Sequence, residues 1–266
     1  MPKSSKVNFA KEYTNILKTS FSVGFKYYDV QVDDKKLVQM NIDDAKKKGA
    51  HVVENTKVLN AKSVKRGWEI TLDNNEIIKS KILINAAGPW INETVNNVLK
   101  INAKKSIRLV RGSHIITKKL YNEEVAFTLQ NEDNRIVFVI PYKEDFSLIG
   151  TTEVDVNTPD NPSISDDEKI YLINTINNHF VKQISQVDIV DTYSGIRPLI
   201  EDFKEASKVS RDYIFDLNSE NKKSPLLNIY GGKLTTYRKL SEKVMEELSP
   251  YLSNKNTKNW TATKKL

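Results

Sequence analysis

The chain of 266 residues has no cysteine, which excludes a disulfide framework and any thiolate metal site. Its three histidines, His51, His114 and His179, are scattered and make no convincing metal-ligand set. No run of eighteen apolar residues occurs, so no segment reads as a membrane-spanning helix. The opening Met1-Pro2-Lys3-Ser4-Ser5 lacks the apolar stretch of a secretory leader. The expected location is therefore cytoplasmic, or peripheral on the cytoplasmic membrane. Arginine is also scarce: Arg66, Arg108, Arg111, Arg135, Arg197, Arg211 and Arg238 are the full set. A chain that uses lysine for general charge can reserve its arginines for places needing a planar, forked donor.

What is present is ordinary for a globular protein, with 39% hydrophobic and 28% charged residues. The formal net charge of +7 invites a nucleic-acid reading, but 34 acidic residues are interleaved with the basic ones. The lysines are dispersed among Asn, Ile and Asp, without a compact basic stripe carrying aromatics. A solvated lysine surface, with weak attraction for anionic lipid or an anionic substrate, is the better account.

Along the chain, residues 1–23 are polar with little periodicity and read as a loose tail. Gly24 to Val30 has strand character, Asp33-Asp34 starts a helix running to about Lys48, and Leu37, Met40, Ile42 and Ala45 give it a partly apolar side. His51-Val52-Val53 is expected as a short strand. Lys57 to Ile78 has the alternation of an antiparallel meander. The continuous run Ile82-Leu83-Ile84 predicts a strand buried on both faces, as in a parallel sheet. Residues 107–152 read as mostly strand, Ser165-Asp166-Asp167-Glu168 as a capping-box helix start, and 188–199 as strand again. Leu226 to Tyr230 is a short strand, Gly231-Gly232 a sharp turn, and a helix follows near 236–248.

The expected class is α+β: a nucleotide-binding domain with a parallel sheet, and an antiparallel sheet inserted between its pieces. The expected boundaries are 24–105 for the first part of the nucleotide domain, 106–200 for the antiparallel substrate-binding domain, and 201–250 for the return. Residues 251–266 are expected as a second loose tail.

Seven stretches together resemble the FAD-dependent, aerobic-type glycerol-3-phosphate dehydrogenases. They begin with Asn85-Ala86-Ala87-Gly88-Pro89-Trp90, the segment Ile107 to His114 containing Arg111-Gly112-Ser113-His114, Arg135 to Pro141, and Ile149-Gly150-Thr151-Thr152-Glu153. They continue with Tyr193-Ser194-Gly195-Ile196-Arg197-Pro198-Leu199, Ser210-Arg211-Asp212-Tyr213, and Gly231 to Arg238. Their order and separations are specific, and the resemblance covers about Gly24 to Leu248.

The resemblance implies a glutathione-reductase-like FAD domain, present in part. It implies that Gly232, Lys233, Leu234 and Thr235 meet the flavin, with Lys233 also within reach of substrate. Val58 (with Lys57) falls where the backbone commonly meets the adenine, and Ala87 and Gly88 where a strand end passes the cofactor. Arg197 and Arg211 match positions for the substrate phosphate, a dianion best held by forked, permanently charged donors. The bland alternative is a surface arginine in an exposed ion pair. His114 faces the active site by resemblance and suits the base that takes the alcohol proton; a hydrogen-bonded structural histidine is the alternative.

FAD enzymes of this class grip the pyrophosphate with a Gly-x-Gly-x-x-Gly turn, and none of the nine glycines here has that spacing. The chain is accordingly expected to be a central fragment, without the N-terminal motif or the C-terminal domain, that holds FAD weakly or not at all. In the intact enzyme, sn-glycerol 3-phosphate would be oxidised to dihydroxyacetone phosphate, with electrons passing to quinone. Two alternatives stand: a catalytically dead remnant or a subunit completed by a separate N-terminal chain, and a related FAD-dependent amine or hydroxy-acid oxidase.

Overall fold

The computed structural model describes residues 2–200, 213–218, 224–253 and 260–264. The chain divides into two compact units, Met1–Val30 with Leu109–Arg197, and Gln31–Arg108 with Pro198–Leu266. It therefore passes between them three times. The fold is α+β, with the antiparallel sheet in the first unit and the parallel pairing in the second.

The first unit is organised on the strand Ile107–Lys118, which is long enough to pair with three others. The sheet order is Val154–Val156, Ile107–Lys118, Phe146–Gly150, Ile136–Tyr142, Phe127–Gln130, with Ile189–Ile200 also pairing with the long strand. Alternation sends Ile115, Val137, Val139 and Ile149 into a core where each is wholly buried. The helix Asp166–His179 joins that core through Leu172, Ile173 and Ile176, at the i, i+1, i+4 spacing of one helix face. Its start is the expected capping box: Ser165 accepts from the Glu168 amide, and the Glu168 carboxylate accepts from the Ser165 amide.

The segment expected as a loose N-terminal tail is ordered from Ser5 onward. Ser5–Asn8 pairs with Val23–Lys26, Ile16 and Leu17 enter the main core, and Lys18 and Val181 bond across to His179 and Ile16. The apolar residues Phe9, Tyr13, Ile16 and Leu17 are few and spaced without a steady period. Long-range contact with Phe180 and Phe127, rather than local pattern, gives them a place. The boundary expected at residue 24 moves accordingly, since 24–30 lies in the first unit.

In the second unit the expected meander is Val58–Val64, Gly67–Leu72 and Ile77–Ser80. A second sheet has the order Tyr213–Asn218, Leu226–Gly231, Leu83–Asn85, with the last two parallel. The two sheets are tied by Pro225, whose carbonyl accepts from Trp68 Nε1 at 3.1 Å and from the Leu83 amide at 3.0 Å. The helix Tyr237–Leu248 covers Leu227 and Ile229 with Val244 and Leu248.

Two expectations fail here. Residues 51–53 form no strand. The run 82–84 is not buried on both faces, because Ile84 is 44% exposed. Among the described residues, no strand pairs with the second edge of Leu83–Asn85. Similarly, the helix Asp34–Lys47 forms with Asp33 as its cap but buries none of its residues.

Candidate functional site

Two surfaces carry the residues singled out from the sequence, one in each unit. In the first unit the sheet register sets His114 opposite Gly150. With no side chain at Gly150, the imidazole lies directly on its backbone; a Cβ there would sit 2.1 Å from His114 Cδ2. Two residues earlier on the same face is Gly112, where a Cβ would sit 2.6 Å from Thr151 Oγ1 and 2.8 Å from Arg197 Nη2. The two glycines thus clear the space in which His114 and Arg197 lie side by side. Arg197 also approaches Glu153, at 3.6 Å, and the Tyr193 ring stands 5.9 Å from that of His114.

Burial, and then the nearby Arg197 charge, push the His114 imidazole down to about 4. It is therefore neutral at physiological pH, with its Nδ1 buried and making no hydrogen bond among the described residues. A neutral imidazole beside a permanently charged guanidinium is a proton acceptor next to an anion holder. An anion brought to Arg197 would cancel the repulsion and raise His114 toward the range where it works best as a base.

Beneath these residues lies a polar cluster that sequence reading missed. The Glu168 carboxylate is 5% exposed and accepts from Arg111, Ser113, Thr152 and both the amide and hydroxyl of Ser165. Burial raises its pKa, but the bonds from Thr152, Ser165 and Ser113 outweigh that and hold it below the usual carboxylate value. The capping-box pattern found the residue without its role; a helix-start glutamate usually faces water, and nothing local marks this one as buried.

In the second unit, Gly231 and Gly232 both have positive φ, 74° and 94°, a conformation open to glycine at little cost. They turn the chain out of the sheet so that Lys233, Leu234 and Thr235 are exposed ahead of the helix Tyr237–Leu248. A separate pocket of ≈ 720 Å³ brings together His51, Lys57, Val58, Ile84 and Ala87. Asn85, buried, shapes its floor: its Nδ2 donates to Asn228 at 3.0 Å and its Oδ1 accepts from the Ala87 amide at 3.3 Å. Gly88, at φ 55°, follows and starts a short turn through Trp90.

The structure thus brings His114 to Arg197, and Val58 to Ala87. Arg211 lies outside the described residues, and the 231–235 turn does not line the pocket. His179 is structural, its Nδ1 2.9 Å from the Thr175 carbonyl oxygen and its ring stacked on Phe21. Among the described residues, no cluster of His, Asp and Glu could hold a metal ion.

Residues 9–238 match the FAD dependent oxidoreductase family designated DAO. The chain belongs to that family. Its relatives include a glycerol-3-phosphate dehydrogenase of Pseudomonas aeruginosa, 42% identical over 92% of this chain and 49% of that protein. The aerobic glycerol-3-phosphate dehydrogenase of Escherichia coli is 40% identical over 94% of this chain and 51% of its own length. The chain spans about half the length of the curated relatives it matches. Among solved structures, the glycerol-3-phosphate dehydrogenase of Bacillus halodurans complexed with FAD superposes with a TM-score of 0.76, at 22% identity, over 93% of this chain and 52% of that one. At that identity the likeness establishes the oxidoreductase fold. No described helix is long and apolar enough to cross a membrane.

The residues present fit one side of such a cofactor. The pocket has the volume typical of a cofactor cleft and a mainly apolar lining, and the paired positive-φ glycines bring backbone to the surface. What the sequence does not offer is the glycine-rich turn for the pyrophosphate.

Proposed function

We propose that this chain forms the substrate-facing part of an FAD-dependent dehydrogenase that oxidises sn-glycerol 3-phosphate at carbon 2 to dihydroxyacetone phosphate. When bound, FAD would accept the hydride and pass electrons onward to quinone. Every other step falls to side chains of this chain. Arg197, with Arg211, holds the phosphate dianion through charge-assisted hydrogen bonds. His114, neutral and buried at Nδ1, takes the hydroxyl proton as the carbon–hydrogen bond breaks. Gly232, Lys233, Leu234 and Thr235 present backbone and one cation toward the flavin. Val58, Ala87 and Gly88 belong to the surface along which the rest of the cofactor lies.

The observation that carries this reading is the packing of Arg197 and His114 into the places opened by Gly112 and Gly150. It unites the two chemistries the reaction needs, anion binding and proton acceptance, on two paired strands, Ile107–Lys118 and Ile189–Ile200. The edge of Leu83–Asn85 that no described strand pairs with, and the pocket beside it, support a further element of the proposal. Polypeptide corresponding to the unmatched half of the relatives, within one longer chain or supplied as a separate N-terminal subunit, completes the site. Without it we expect a remnant inactive by itself, without bound flavin after gel filtration.

The test is co-production with the unmatched half of the Pseudomonas aeruginosa relative, followed by a dye-reduction assay. Glycerol 3-phosphate should drive reduction, and Arg197→Ala should raise the KM at least about tenfold, the loss of one charge-assisted bond. Reduction driven by amino acids or hydroxy acids instead would identify an oxidase whose arginine holds a carboxylate. Flavin absorbance that stays with the chain alone would show that the cofactor site is already sufficient.

A further inference from the structure

We propose that Glu168 is a positioning residue for the His114–Arg197 site, fixing from beneath the three backbone stretches that carry it. This rests on the reading above for what the site does, while the geometry stands independently of it.

Side chains on a strand alternate between faces. On Ile107–Lys118, Arg111 and Ser113 point to the Glu168 side, so Gly112 and His114 belong to the opposite one. Thr152 likewise points to Glu168, between Thr151 and Glu153, the two residues that border Arg197. On Ile189–Ile200, Ser194 donates to Ser113 Oγ at 3.0 Å, three residues before Arg197. One carboxylate therefore bonds Arg111 at 2.6 Å, Ser113 at 2.8 Å and Thr152 at 2.6 Å. Each of these neighbours a residue of the site. Ser113 and Thr152 are bonded directly as well, amide to hydroxyl at 3.0 Å, which locks the turn to the strand.

An ordinary helix cap would satisfy Ser165 and stop there. This carboxylate commits one oxygen wholly to Ser113 on the strand and Thr152 in the turn, and shares the other between Arg111 and the cap. A buried network satisfied at every oxygen specifies one geometry, and losing a member loosens the rest together. Sub-ångström tolerance is what a base and an anion holder require of their support.

The experiment follows the three histidines of the whole chain by NMR titration in wild type, Glu168→Gln and Thr152→Val. The backbone amides of the helix that Glu168 caps, followed in the same spectra, report plain helix damage. With Glu168→Gln, the His114 pKa should rise from about 4 toward its ordinary value by at least about one unit, as the ring leaves its buried seat. The backbone amide resonances of the helix Asp166–His179 beyond its first turn should not move. The affinity for inorganic phosphate, read from the His114 shift, should fall about tenfold, the worth of one misplaced charge-assisted bond. Thr152→Val, which keeps the shape and removes one bond, should show the same shifts at smaller size, and decides the matter should Glu168→Gln fail to fold. A His114 titration within about 0.2 units of wild type in folded variants would overturn the proposal and leave Glu168 a stability group. Should phosphate fail to bind even wild type, the anion-site reading falls while the His114 titration still tests Glu168.

Discussion

The two units of this chain are built by the same rules and finish differently. In the first, a single cluster of fifteen buried apolar residues closes around Phe180, Leu172, Ile176 and Ile115, all without exposure. Among the described residues of the second, the buried apolar ones fall into clusters of seven and four. There a fourteen-residue helix buries nothing, and a strand edge carries an exposed Ile84. Hydrophobic stabilisation follows apolar area removed from water. The first unit therefore holds itself together, whereas the second keeps apolar surface in reserve. That reserve lies along Val58, Ile84 and Ala87, where the cofactor and the unmatched part of the relatives are expected to be.

The largest predicted effect tests the closed unit directly. Phe180 is wholly buried among Phe127, Tyr121 and Leu17. Phe180→Ala should cost about 3–5 kcal/mol, measured by urea unfolding with the sheet signal of the first unit as probe. A loss below about 1 kcal/mol would mean that this core is as loose as the other, and the comparison would fail.

Next comes acid. Native His114 titrates at about 4, and its ordinary value is 6.5. Above 6.5 both the native and unfolded chains carry it neutral. Between 6.5 and 4 the unfolded chain binds the proton and the native one does not, so stability falls as pH falls. The full window corresponds to about 3 kcal/mol. His114→Gln should remove that part of the slope, read as the difference between the two stability–pH curves. A slope unchanged by the substitution would show that the imidazole is solvated and that the Gly150 seat does not confine it. A smaller effect is expected for Gly150→Ala, whose added methyl collides with His114. Overpacking of this kind costs about 1–3 kcal/mol, and the His114 pKa should rise as the ring is expelled.

How far these contrasts were legible in the sequence depends on range. The helix over 34–47, the meander, the capping box at Ser165 and the Gly231-Gly232 turn rest on local chemistry, and were read within a residue or two. The strand Tyr213–Asn218 was passed over, because its alternation is short and blurred by Ile214, and its place comes from pairing with Leu226–Gly231 across the sheet. Residues 9–17 were read as tail because their partners lie more than a hundred residues away. At the site, His114, Arg197, Gly112 and Gly150 all stood within recognised stretches, but only the register shows that the glycines make room for the other two. Glu168 could not have been found from sequence, since its burial comes from the strand Ile107–Lys118 and the turn at Thr152 meeting the start of the helix. Residues 51–53 mark the opposite error. The local pattern reads as strand, but a strand needs a neighbour, and no described residue provides one.

The smallest expected effect discriminates most sharply between the units. Ile84 stands on the open edge, its side chain beside Val58 and Ala87 in the pocket. Ile84→Thr keeps a β-branched residue in the strand and exchanges an exposed methylene surface for a hydroxyl. In the chain alone it should change stability by no more than about 0.5 kcal/mol, as for other surface sites. In the complemented assembly the same substitution would sit in a buried interface. There it should weaken association by about 1–3 kcal/mol, because the hydroxyl is buried without a partner. Parallel unfolding and binding measurements separate the two. A large loss in the isolated chain would show that this edge is already covered in solution, and an unchanged association would show that the completing polypeptide docks elsewhere.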